Sequence, residues 1–275
     1  MTPGLFSLLV GAGIAAGLAG SVAGLASLFS YPALLAAGLP ATAANVTNTV
    51  SLAVGSLSTI TSSRPDLAGQ AGTARRLGLV CALGGATGAG LLLLTPSDLF
   101  TRIVPFLVGG ASVLLLIGRR RPETPGQPET LGQPGTVGTL GQPEMLGQPE
   151  TPGAAPGRRR GMTAAVLAVS VYGGYFGAAA GVLMLALLLA ALPETLVRVN
   201  ALKNVLLGLA NVIAAVGFAV FGPVSWLAAV PLTIGLLLGS WFGPPVVRRL
   251  PANLLRFGIA LAGIGLAVKL GLDAF

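Results

Sequence analysis

Apolar stretches of about twenty residues recur along nearly the whole chain, each long enough to cross a hydrocarbon layer roughly 30 Å thick as a helix. They lie near 43–62, 77–95, 99–118, 195–221, 224–243 and 252–272, with longer glycine-interrupted stretches at Leu5–Leu39 and Met162–Leu192. Hydrophobic residues make up 53% of the sequence and charged residues 9%, against roughly one-quarter charged in a soluble domain. A soluble globule is excluded, and most of the protein belongs in lipid.

The net charge is +8. Its arginines cluster between apolar runs, as Arg75-Arg76, Arg119-Arg120-Arg121, Arg158-Arg159-Arg160 and Arg248-Arg249. Clusters of this kind orient a membrane protein, because loops rich in Arg and Lys stay cytoplasmic. No aromatic or β-rich module accompanies them, so nucleic acid is not an expected partner. The sole cysteine, Cys81, reads as a small packing residue. Met1-Thr2-Pro3-Gly4 lacks the basic start of a cleavable signal, so the first segment is expected to be retained.

Residues 119–161 break the apolar pattern. They are filled with Gly, Pro, Gln, Glu and Thr and repeat themselves at Gly126-Gln127-Pro128-Glu129, Gly141-Gln142-Pro143-Glu144 and Gly147-Gln148-Pro149-Glu150. Too little apolar surface is available there to offset the entropy of ordering. A flexible linker, cytoplasmic by its flanking Arg triplets, is predicted to join two repeats, 1–118 and 162–275. The repeats match at Gly17, Gly20 and Gly24 against Gly174, Gly177 and Gly181. Pro40 then matches Pro193; Asn45, Thr49 and Ser56 share their spacing with Asn200, Asn204 and Asn211; Arg102 and Gly109 match Arg256 and Gly263. Duplicated halves are a common plan for secondary transporters.

Each half opens with a stretch too long for one crossing and short for two, which predicts a pair of short or re-entrant helices joined at the glycines. Counting that pair as one or two elements gives four or five per half and about eight to ten in all, the five-element count being the one favoured here. With the linker cytoplasmic, this count puts Arg64, Arg75, Arg76, Arg198 and Arg248-Arg249 inside and the uncharged Gly222-Pro223 turn outside. The alternative count puts Arg248-Arg249 outside, against the positive-inside tendency. The predicted fold is therefore an all-α polytopic membrane protein of two inverted repeats, with both termini outside.

On the helix after Pro193, Asn200, Lys203, Asn204 and Asn211 fall in one stripe about 100° wide. The first half repeats it with Asn45, Asn48, Thr49 and Ser56. Polar stripes in lipid-embedded helices face the protein interior or a wet cavity. Lys203 is the one charge at membrane depth; a cation among neutral Asn donors suits an anion better than a metal. Two other placements stand open for it: snorkelling to the surface, or pairing with Glu194. Likewise Asn and Thr can act as interhelical glue, and the glycines can serve helix packing or a broken helix whose N-terminus faces an anion. There is no His, and no carboxylate lies well inside an apolar run, which disfavours a proton relay or a His-based metal site.

The order Gly17-Leu18-Ala19-Gly20-Ser21-Val22-Ala23-Gly24, Tyr31-Pro32-Ala33 through Leu39-Pro40, then Ala43-Ala44-Asn45-Val46-Thr47-Asn48-Thr49, resembles the sulfite exporter TauE/SafE family of membrane permeases. The second copy, Gly173-Gly174-Tyr175-Phe176-Gly177 through Leu192-Pro193 to Asn200-Ala201-Leu202-Lys203-Asn204, is similar to that family's repeat. The resemblance covers nearly the whole chain except the linker. It implies a multi-pass permease of the bacterial inner membrane carrying sulfur-containing anions such as sulfite or organosulfonates. The linker is longer, and the first glycine cluster looser, than is usual in the family.

The resulting expectation is alternating access around a midplane anion site with no cofactor and no metal. Its residues are Lys203, Asn200, Asn204, Asn45, Asn48 and Thr49, with Gly20, Gly24, Gly177 and Gly181 at the helix breaks. The partners are the small anion and the bilayer, and self-association is left open. Rival readings are an integral-membrane enzyme, which lacks His and paired intramembrane carboxylates, and a structural scaffold.

Overall fold

A computed structural model describes residues 2–62, 64–117, 156–178 and 180–247, with 264, 265, 268, 271 and 272 near the C-terminus. Among these residues the chain is all-helical. In the first half lie α1 (Pro3–Ala23), α2 (Ser27–Ala36), α3 (Ala41–Ser62), α4 (Ala71–Leu94) and α5 (Ser97–Ile117), with a short 3-10 turn at Arg64–Leu67. In the second lie α6 (Pro156–Tyr175), α7 (Ala180–Ala191), α8 (Leu196–Phe221) and α9 (Trp226–Val247). The linker expected over 119–161 lies outside the described residues up to 155, and its last six residues already belong to α6. The run near 252–272 also falls largely outside them.

Three helices are long and apolar enough to cross a membrane by length and composition: Pro3–Gly20 within α1, all of α4, and Val197–Phe221 within α8. Large apolar side chains face outward, including Leu83 (67% exposed), Leu94 (83%), Phe221 (78%) and Trp241 (75%). Polar side chains go inward, with Asn45, Thr47, Asn48, Thr49 and Ser51 of α3 all buried. That inversion of the soluble pattern is what a hydrocarbon solvent selects, since buried polar groups find partners only inside the protein.

The opening of each half differs from the expected pair of short helices. Thr2 caps α1, its Oγ1 accepting from the Leu5 N–H at 3.4 Å, with Pro3 in the first turn. From there α1 runs 21 residues, about 31 Å and enough for a full crossing. Only its successor is short: α2 has 10 residues and α7 has 12, about 15 and 18 Å. The break comes at the last glycine of the cluster. Gly24, at φ 69°, donates to Gly20 O at 3.0 Å, while the Leu25 N–H reaches Ala19 O at 3.4 Å, the backbone pattern that closes a helix with a left-handed residue.

The equivalent break in the second half is at Gly177, φ 70°, whose N–H bonds Tyr172 O at 3.2 Å. Conformation thus pairs Gly24 with Gly177, four residues away from the match suggested by glycine spacing, which paired Gly24 with Gly181. Spacing alone misassigns the register because the clusters also contain packing glycines, and these repeat at similar intervals.

Packing glycines define how the halves interlock. Gly13 lies against Leu232 and Gly235, and Gly17 against Leu236 and Ser240, so α1 and α9 run parallel in close contact. Gly84 meets Leu167 and Ser170, and Gly88 meets Val171 and Tyr175, so α4 and α6 do the same. Each half's first helix therefore packs on the other half's fourth. Between them α3 and α8 cross antiparallel, with Gly208 against Ser56 and Ile60 at one end and Gly222 against Val46 at the other. Small residues at these contacts let backbones approach, which supplies van der Waals contact where no hydrophobic effect acts between helices.

Candidate functional site

A cavity of about 100 Å³ sits where the helix breaks meet α3 and α8. About 10–15 Å³ suffices for one water on this scale, so there is room for a small ligand. Its wall is built from Gly17, Gly20 and Gly24 at the end of α1, Ser27 at the start of α2, and Thr49, Ser56 and Thr59 along α3. The second half supplies Gly177 at the end of α6, Ala180 and Gly181 at the start of α7, Lys203, Asn204 and Asn211 on α8, and Ser240 on α9. At this crossing two segments of the chain touch backbone to backbone: a Cβ added at Gly24 would lie 2.6 Å from the Gly181 Cα, and one at Gly181 would lie 2.6 Å from the Gly24 Cα.

Of the ten residues expected at the site, seven line this cavity: Lys203, Asn204, Thr49, Gly20, Gly24, Gly177 and Gly181. Asn45, Asn48 and Asn200 do not. Asn45 stands one turn before Thr49 on the same line of α3, and its Nδ2 donates to Tyr175 O across the halves at 2.8 Å. Asn48, at the edge of the stripe, accepts through Oδ1 from the Ser30 hydroxyl of α2. Asn200 stands one turn before Asn204, ahead of the first α8 residue in the cavity wall, and its Oδ1 has no hydrogen-bond partner. The stripes thus only partly face the cavity; on α3 the side chains outside it bond neighbouring helices.

Lys203 is 1% exposed and its Nζ has no hydrogen-bond partner among the described residues. Of the two other placements, neither is seen. The side chain does not reach the surface, and Glu194 pairs with Arg198 instead, Nε to Oε2 at 2.8 Å. Arg198 also donates from Nη2 to Ala68 O at 2.8 Å, tying the start of α8 to the turn before α4.

The electrostatics have one sign. An unpaired buried ammonium faces the cavity, and both short helices, α2 and α7, begin at its wall. A helix N-terminus carries roughly half a positive charge, and here it is the dipole rather than free amides that acts, since the Leu28, Phe29 and Ala180 N–H groups already bond Leu25, Ala26 and Gly177 O. No Asp or Glu lines the cavity, and among the described residues no group of His, Cys, Asp or Glu could hold a metal ion. An anion is the ligand such a wall favours.

The sulfite exporter TauE/SafE family profile matches residues 9–270, spanning both halves and both helix breaks. The chain belongs to the sulfite exporter TauE/SafE family. Membership implies a membrane transporter of sulfite-type anions, in keeping with the single sign of charge around the cavity. Searches of curated proteins and of solved structures returned no match. Several TauE/SafE cavity residues here escaped sequence reasoning. Ser56 and Asn211 belong to the same polar stripes, and their azimuth is the signal that marks them. Ser27 was discoverable as the first residue after the break. Ser240 sits in an apolar run, and nothing short of the α1–α9 contact brings it to the cavity.

Proposed function

We propose that this TauE/SafE protein is a secondary transporter moving small sulfur-containing oxyanions, sulfite or an organosulfonate, through the cavity at Lys203. The observation that carries this reading is the ammonium itself. A buried cation without a carboxylate is expensive in a membrane interior, and a charged ligand that enters and leaves explains why it is kept. In this reading Lys203 supplies the charge, Asn204 donates a hydrogen bond, Thr49 lines the wall with its hydroxyl donated back to Asn45 O at 3.0 Å, and Gly20, Gly24, Gly177 and Gly181 let the ligand approach the N-terminal turns of α2 and α7. Asn45 and Asn48 then hold the helices that carry the ligand groups, and Asn200 stands one turn further out on α8.

The mechanism we infer is alternating access of two inverted repeats, 1–118 and 162–275, joined by a cytoplasmic linker and with both termini outside the inner membrane. Antiparallel crossing of the equivalent helices α3 and α8 supports inversion, as does the exchange in which α1 packs parallel to α9 and α6 parallel to α4. If α1 and α2 together made one crossing, α3 and α8 would run parallel.

The test is flux. Lys203→Ala in proteoliposomes is expected to lower labelled sulfite uptake at least tenfold with normal insertion, on the order of what one charged hydrogen bond contributes. Uptake within twofold of the unaltered protein overturns the assignment.

A further inference from the structure

Because α4 and α6 run parallel, their N-terminal ends lie side by side, and both are basic: Arg75 and Arg76 on α4, Arg158, Arg159 and Arg160 on α6. Between them is an open groove of about 460 Å³ lined by Arg76, Arg160, Thr163, Ala164 and Leu167. Arg76 and Arg160 are exposed, and among the described residues no acidic side chain shares the groove. Immediately along the helices the surface turns apolar. Leu79 (66% exposed) and Leu83 (67%) follow Arg76 by one and two turns, and half-exposed Leu167 follows Arg160 by two. A pair of cations over a hydrocarbon-facing apolar strip matches an amphiphile with an anionic head and acyl tails.

We propose that this groove is a binding site for an anionic phospholipid, its phosphate held between Arg76 and Arg160 and its first methylenes laid along Ala164 and Leu167. Guanidinium groups suit phosphate because two N–H donors meet two oxygens. Basic pockets between transmembrane helices are where cytoplasmic-leaflet lipids of this charge dock. The two helix N-termini add attraction of the same sign. A free oxyanion shares the head-group chemistry but leaves the apolar strip unused, which is why the lipid is the occupant chosen. The site lies outside the Lys203 cavity, so it stands or falls independently of the transported substrate.

The full-length chain in detergent, titrated with dioleoyl-phosphatidylglycerol or dioleoyl-phosphatidylcholine and read by native mass spectrometry, tests it. The charge-assisted bonds from two guanidinium groups to one phosphate are together worth at least about thirtyfold in affinity, so Arg76→Gln with Arg160→Gln weakens phosphatidylglycerol binding about thirtyfold and leaves phosphatidylcholine unchanged. Arg75→Gln, outside the groove, leaves phosphatidylglycerol retention unaltered, and Arg76→Lys with Arg160→Lys keeps part of it, since the charge stays while the bidentate fork is lost. Unchanged retention in the Gln pair overturns the proposal, as does an equal loss in Arg75→Gln, which makes the effect diffuse charge. A Lys pair that binds phosphatidylglycerol no better than the Gln pair shows that charge at these two positions does not hold the lipid and overturns it too. Displacement of the lipid by low-millimolar inorganic phosphate assigns the groove to free anions instead.

Discussion

The contact between Gly24 and Gly181 sets the geometry of the cavity, and an alanine series separates the reasons for its two glycines. At Gly24 the backbone is left-handed (φ 69°) and a Cβ would sit 2.6 Å from the Gly181 Cα. Alanine there incurs about 1–2 kcal/mol for the conformation and about 1–3 kcal/mol for overpacking against backbone, roughly 2–5 in total. Gly181 lies in the first turn of α7, with the same 2.6 Å clash but no positive φ. Its alanine variant loses about 1–3 kcal/mol to the clash and regains up to about 1 in helix propensity. Gly38 supplies the conformational cost alone, at φ 88° with nothing within 4 Å of an added Cβ, so about 1–2 kcal/mol is expected. Gly90, mid-helix in α4 with open space beside it, is expected to gain about 0.5–1 kcal/mol. Unfolding of the purified variants in a dodecyl sulfate titration, followed by circular dichroism, should rank Gly24→Ala as the least stable. Gly38→Ala and Gly181→Ala follow, and Gly90→Ala lies above the parent. If Gly181→Ala matches Gly90→Ala, the two breaks do not meet and the cavity is not built as described.

Two smaller tests complement the flux and lipid experiments. With Cys81 replaced by Ala, Ser240→Cys should react with a charged methanethiosulfonate reagent and be protected by millimolar sulfite. Absence of labelling removes α9 from the cavity wall. Arg198→Ala breaks a partly exposed pair with Glu194 and the bond to Ala68 O, so a stability loss of about 1 kcal/mol or less is expected, measured by the same titration. A loss above 3 kcal/mol contradicts the screened setting assigned to that pair.

Long apolar runs were the easiest part of the fold to read, because hydrocarbon forces backbone bonds into helices and leaves only length to determine. The stretches near 43–62, 77–95, 99–118, 195–221 and 224–243 coincide to within a few residues with α3, α4, α5, α8 and α9. The glycine clusters were read less well. Gly13 and Gly17 serve the contact with α9 while Gly24 ends the helix, and a one-letter pattern does not distinguish a packing glycine from a turning one. Lys203 was legible because a lone cation stands out in an apolar helix. The roles of Asn45 and Asn48 were not, since azimuth on a helix gives the face but not the depth at which a neighbour intervenes.

The halves differ most where they matter most for binding. By the spacing that pairs Asn45 with Asn200 and Thr49 with Asn204, the counterpart of Lys203 is Asn48. Lys203 faces the cavity with its ammonium unpaired, whereas Asn48 is turned to Ser30 and lies outside the wall. A second lysine in the first half would place two ammonium groups around a space of about 100 Å³. At a separation of roughly 8 Å and an effective dielectric of about 20 they would repel by about 2 kcal/mol whenever the site stood empty. With one lysine the empty state carries a single uncompensated charge. The N-termini of α2 and α7 supply further positive potential without the desolvation of a second ion. Under the proposed function, the paired helix ends and the close-packed glycines are common to both halves, and a single difference between them, Lys203 against Asn48, sets the charge of what binds.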